Sequence, residues 1–112
     1  MFLGYDFHLD DEKLGLIEIN TNAGGAMLNL LLARAQRRCC SGVVALSPGD
    51  EGADRFERAI LNMFAHEWAA SGEQKPLKHL VIVDESPERQ YLYPEFLLFQ
   101  QLFESAGIDC TI

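Results

Sequence analysis

Asp6, Glu18 and Asn20 supply oxygen atoms from two stretches that are otherwise largely apolar, and Gly24 and Gly25 follow a few residues later. Carboxylate and amide oxygens are the hard donors that Mg²⁺ selects, commonly one or two carboxylates together with phosphate oxygens. Glycines placed directly after such donors allow positive φ and close backbone approach. These residue types at this spacing point to a divalent cation held beside an anion. The other chemistry-bearing residues give less. Cys39 and Cys40 are adjacent and Cys110 is distant, which fits neither a disulfide framework nor zinc-ligand spacing, so small buried thiols in a reduced compartment are expected. His66 has no partner at matching spacing and reads as a surface residue. His8 is a lone strand histidine, for which an ordinary hydrogen bond is the expectation.

Positioning the oxygen donors is the task of a hairpin. Residues 2 to 9 alternate, with Leu3, Tyr5, Phe7 and Leu9 on one face and Phe2, Gly4, Asp6 and His8 on the other. Residues 10 to 13 read as a turn and residues 14 to 20 as a returning strand. Pairing Asp10 with Leu14 across a three-residue loop sets Asp6 opposite Glu18, Gly4 opposite Asn20 and His8 opposite Leu16, with Ile17 and Ile19 sharing the face of Leu3, Tyr5 and Phe7. Two carboxylates directly across a ladder repel each other. A divalent cation would remove that penalty, whereas on a fully solvated face they would be ordinary surface acids. After the strand, Thr21 or Asn22 can cap a helix over residues 26 to 38, and the free N–H groups at its start suit an anion.

The order of these features, in "LGYDFHLDDEKLGLIEINTNAGG", resembles the metal-binding end of the ATP-grasp fold. In that family a strand bearing aspartate is followed by a strand bearing Glu-x-Asn and then by a loop of small residues. The resemblance implies that Asp6 is the first metal ligand, that Glu18 bridges two Mg²⁺ (or Mn²⁺) ions, and that Asn20 is the third ligand, the set holding the phosphates of ATP. It also implies that Thr21, Asn22, Gly24 and Gly25 place a substrate. The implied activity is that of a carboxylate–amine ligase, in which the γ-phosphoryl passes to a carboxylate and an amine attacks the acyl phosphate. The chain carries "AGG" where many members carry Pro-Gly, which leaves the substrate open.

ATP-grasp enzymes place phosphate-binding lysines and a glycine-rich covering loop ahead of the Glu-x-Asn segment, and here the match starts at the third residue. The expectation is therefore a fragment of a circularly permuted member, similar to glutathionylspermidine-synthetase-like relatives, that supplies metal ligands without being a competent ligase alone.

Further along, residues 47 to 54 read as a loop and residues 55 to 70 as an amphipathic helix with Phe56, Ile60, Met63, Phe64 and Trp68 inward. The run "LVIV" fits a buried parallel strand, followed by a helix with Phe96, Phe99, Leu102, Phe103 and Ala106 inward and by a second strand at the C-terminus. Asp84, Glu85 and Ser86 lie where ligands of a doubly wound sheet collect. Too few residues follow for a phosphoacceptor receiver domain.

The fold expected is α/β: an antiparallel hairpin with helices, then the start of a doubly wound unit. Its segments are residues 1–46 (metal-binding hairpin and helix), 47–76 (loop and amphipathic helix) and 77–112 (α/β unit). With 112 residues, 48% hydrophobic and 23% charged, the chain has the size and apolar content of one globular domain. The net charge of -8 excludes a nucleic-acid surface, the cluster Arg34, Arg37 and Arg38 reading as a solvated helix end. No apolar run approaches the ~20 residues of a membrane span, and a cytoplasmic protein is expected. The alternative to the ligase reading is a binding or oligomerisation module that forms a homo-oligomer through exposed apolar surface, with Tyr91, Tyr93 and Pro94 as first contact candidates.

Overall fold

The computed structural model describes residues 3–10, 13–21, 23–39 and 50–112. The described residues form a mixed α/β structure of two small sheets and three α-helices. In chain order these are β1 (Gly4–Asp10), β2 (Lys13–Asn20), α1 (Ala26–Cys39), α2 (Asp50–Ala70), β3 (His79–Val81), α3 (Tyr93–Ser105) and β4 (Asp109–Thr111). β1 and β2 form an antiparallel hairpin, and β3 and β4 a parallel pair joined through α3. Asn22, Cys40 and the side chain of Cys39 lie outside the described residues, so the capping role of the first and the burial of the other two are left there.

The hairpin realises the expected pairing of the acids by a different register. Asp10 opposes Lys13 rather than Leu14, so the link is two residues, not three, and His8 opposes Gly15 rather than Leu16. Between Asp6 and Phe7 the register shifts by one, which makes Ile17 the extra residue of a β-bulge and restores Asp6 opposite Glu18 and Gly4 opposite Asn20. The reason lies in the parity of β2. Leu14, Leu16, Glu18 and Asn20 are all two apart, and a regular strand would put both leucines on the face of the acids. The bulge turns Leu16 across from Phe7 and Leu14 across from Leu9, which gathers the apolar residues on one face and leaves the polar ones on the other.

The core lies among the helices. Met27 and Leu30 of α1, Ala53 and Ile60 of α2 and Leu102 of α3 are buried together, with Leu61, Phe64, Leu98 and Phe99 packed around them. Phe103 is 1% exposed and meets Phe64 edge to face at 4.9 Å. Arg34 joins α1 to α2 through Glu57 at 2.8 Å and Asp54 at 3.4 Å. The helix α2 spans Asp50–Ala70, so residues 50 to 54, expected as loop, are its first turns, where Glu51 favours the positive end of the helix dipole. Its stripe is narrower than the apolar residues suggest: Phe56 and Trp68 are 39% and 38% exposed. The Trp68 indole N–H instead donates to the Lys75 carbonyl at 2.7 Å, which lets the ring sit at the surface. His66 is exposed, as expected.

β3 and β4 are parallel, but β3 is not buried on both faces. Val81 and Val83 are 64% and 86% exposed, because α3 covers one face of a sheet only two strands wide. Ala106 is likewise exposed, since it caps the C-terminus of α3 instead of facing inward. Tyr91 is 95% exposed, while Tyr93 is half-buried in the first turn of α3.

One buried carboxylate links the parallel unit to α1. Glu95, 3% exposed in the first turn of α3, accepts the Met27 N–H at 3.0 Å and the Leu28 N–H at 2.9 Å. Those N–H groups belong to the first turn of α1, which has no intrahelical acceptors for them. Glu95→Ala should therefore lower stability by about 3 kcal/mol, and Glu95→Gln, which keeps one acceptor, by roughly half as much, read as denaturation midpoints.

Cys110, 3% exposed on β4, gives a second test. Burial, aided by Glu104 and then Asp109, raises its thiol above the ordinary value of 9.0. The folded state thus favours the neutral thiol, and that contribution is complete below pH 9.0 and lost as pH rises through the higher folded value. Denaturation titrations should show a steeper alkaline loss of stability in the native chain than in Cys110→Ala.

Candidate functional site

The acid face of the hairpin meets the helices at a cleft of about 610 Å³ lined by Leu3, Gly4, Tyr5, Asp6, Asn20, Ala23, Gly24, Ala26, Asn29 and Phe56. Asp6 and Asn20 come from opposite strands, and the Asn20 amide nitrogen is 3.5 Å from Asp6 Oδ2, at the outer limit of a hydrogen bond. Glu18 is directly across the ladder from Asp6. Residues so placed have Cβ atoms about 5 Å apart, within reach of one cation. Asp6, Glu18 and Asn20 are all exposed. Water therefore screens the Asp6–Glu18 repulsion without cancelling it.

Gly4 brings the strand and the following loop together. A Cβ there would lie 3.2 Å from the Ala23 Cβ and 3.5 Å from the Asn20 Cβ, so a side chain would press on the segment that closes the cleft. Gly24 performs the same service toward α3, where a Cβ would stand 2.8 Å from Leu92 Cδ1. Gly25 has φ +87°, a left-handed conformation that turns the chain into α1. Gly24 lines the cleft, and Thr21 is exposed just beyond β2. Asn22 lies outside the described residues.

The start of α1 does not offer the free anion site expected of it. The Met27 and Leu28 N–H groups are bonded to Glu95, so the helix's own first-turn donors are spent on an internal carboxylate. Asp84, Glu85 and Ser86 also turn inward on themselves. The Glu85 N–H donates to Asp84 Oδ1 at 2.7 Å, and Ser86 takes φ 49° ahead of a 3-10 turn at Pro87–Arg89.

Asn29 and Phe56, which line the cleft from α1 and α2, are among the lining residues outside the expected site set. Asn29 had a visible signal, as the one polar side chain within the apolar run "AMLNLLLA". Phe56 had none, because its spacing matches that of core residues. Among the described residues no group of three or more His, Cys, Asp or Glu side chains could hold a metal ion. The set in view here is smaller, two carboxylates and an amide. Rotating the Asn20 amide by half a turn would present Oδ1 in place of the nitrogen that now faces Asp6, so the donor chemistry fits a hard cation.

No family model matches the chain, and neither do curated proteins or solved structures.

The glycine loop supplies a test of how the cleft is closed. Gly25→Ala should cost about 1 kcal/mol, since a methyl group disfavours φ +87°, and Gly24→Ala less, since only the end of the Leu92 side chain must move. Equal losses in the two melting curves would contradict this division of roles.

Proposed function

We propose that Asp6, Glu18 and Asn20 hold Mg²⁺ (or Mn²⁺) at the nucleotide-binding edge of an ATP-grasp-type carboxylate–amine ligase. The observation that supports this most is the direct opposition of Asp6 and Glu18, which a β-bulge preserves at the expense of a regular ladder. Like charges so placed destabilise a hairpin, and a bound cation converts the same arrangement into a favourable one. When bound, the metal would neutralise phosphate charge on ATP.

The chain's own residues do the rest of what this reading asks. Asp6 and Glu18 fix the cation from opposite strands, Asn20 adds a neutral oxygen, and Gly4 keeps the approach free of side chains. Thr21, Asn22, Gly24 and Gly25 form the loop assigned to placing the substrate. Among the described residues that line the cleft there is no lysine or arginine, and phosphoryl transfer would draw on positive charge supplied from elsewhere. The share of the reaction assigned to these residues is metal holding. The cytoplasm, with its Mg-ATP, is the compartment that suits it, and among the described residues no helix is long and apolar enough to cross a membrane.

A second reading, a binding or oligomerisation module, is favoured by a separate observation: the apolar face of the same hairpin lies open along its whole length.

The cation reading is tested by titrating Mn²⁺, alone and with ATP, into the native chain, Asp6→Asn and Glu18→Gln. Each variant should bind Mn²⁺ at least about tenfold more weakly, while without metal its stability should rise by about 0.5 kcal/mol as the repulsion is relieved. Unchanged Mn²⁺ affinity in both variants would remove the assignment.

A further inference from the structure

Seven large apolar residues among those described occupy one face of the hairpin: Leu3 just before β1, Tyr5, Phe7 and Leu9 within it, and Leu14, Leu16 and Ile19 from β2. Their exposures run from 41% for Leu3 to 78% for Leu9. Neither strand packs on a helix or on the β3–β4 pair to the extent that the helices pack on one another. The radius of gyration, 16.5 Å, exceeds the roughly 13 Å of a compact chain this long, in keeping with a hairpin that projects from the helices. A two-stranded hairpin alone is marginal in water and gains independent stability from packing on its apolar face.

We propose that a second copy of this chain covers the face, the two hairpins packing face to face about a two-fold axis. This goes beyond the module reading by naming its occupant and the surface used, and it uses none of the three proposed cation ligands, although Leu3 and Tyr5 also line the cleft.

Three observations favour a second copy. The first is area. With the exposures above, the face presents on the order of 600 Å² per copy, or about 1,200 Å² for the pair, the lower end of what stable interfaces bury.

The second is shape and order along the strands. Tyr5 and Phe7 are stacked with centroids 6.4 Å apart, while Leu9 and Leu14 lie toward the turn. A two-fold axis through Phe7 and Leu16 sets the aliphatic end of each hairpin over the aromatic end of the other, an isologous match that closes on itself.

The third is charge. The bulge leaves Asp6, Asp10, Lys13 and Glu18 on the opposite face, so among the described residues the sandwich buries no ionic side chain. Sheets packed face to face lie about 10 Å apart, with the acids of the two copies farther apart still, beyond the Debye length of ~8 Å at physiological salt. The net charge of -8 on each chain still opposes association when salt is low.

Sedimentation equilibrium of the native chain from about 1 to 500 μM, at about 0.05 and 0.5 M NaCl, tests this proposal. Expected is a dimer whose dissociation constant falls severalfold as salt rises. Leu16→Lys should weaken it at least about 100-fold by burying a charge on each side, whereas His8→Lys, on the opposite face, should leave it dimeric.

Helical circular dichroism reports whether Leu16→Lys stays folded. If it does not, Leu9→Lys at the exposed turn end of the hairpin decides in its place. The proposal is overturned by a monomer at every concentration, by a dimer that survives the deciding lysine variant, by dissociation at high salt, or by an open series of larger species. Mn²⁺ binding measured on the same variants keeps failure here distinct from failure of the cation site.

Discussion

The carboxylate of Glu95 is the contact on which the rest of the arrangement rests. It joins residues 68 positions apart in the chain and closes two backbone donors that α1 cannot satisfy itself. A carboxylate at 3% exposure is costly to bury, and hydrogen bonds from a helix N-terminus are among the few environments that offset that cost. Because the bonded N–H groups follow directly on the Gly24–Gly25 turn, the same contact sets where that turn lies against Leu92. It thereby places one wall of the cleft relative to the strands that carry Asp6 and Asn20.

The hairpin is held in a different balance. Its two faces each carry an unresolved demand, opposed carboxylates on one side and uncovered apolar side chains on the other. A regular ladder would have diluted both by placing Leu14 and Leu16 beside Glu18 and Asn20. The bulge at Ile17 concentrates them instead, giving one face suited to a cation and another suited to a partner. The separation is incomplete at the open end of the hairpin, where Leu3 and Tyr5 of the apolar face also line the cleft.

The proposed cation site draws on a resemblance and on the geometry of the hairpin, which are separate grounds. The resemblance rests on the order of short motifs. The geometry rests on strand pairing, which brings Asp6, Glu18 and Asn20 to one face whatever their ancestry. The start of α1 shows why the geometric ground is needed. Glycines before a helix suggest an anion site from sequence, yet here the anion is an internal glutamate, and the open part of the cleft is lined instead by Asn29 and Phe56.

Sequence by itself determined the local elements and the pairing that matters most. Alternation made the two strands of the hairpin, 3.6-residue periodicity made α1, α2 and α3, and a short apolar run marked β3, because each of these patterns is a property of neighbouring residues. It also brought Asp6 opposite Glu18, although through a three-residue loop rather than a two-residue link and a bulge. Tertiary structure decided what neighbouring residues do not encode. The role of Glu95 depends on a partner in another helix, and the exposure of Val81, Val83 and Trp68 depends on which layers cover them. The joining of α1 to α2 depends on Arg34 meeting Asp54 and Glu57 across the two helices. Periodicity records which residues share a face. Burial and hydrogen-bond partners are set by what the rest of the chain brings against that face.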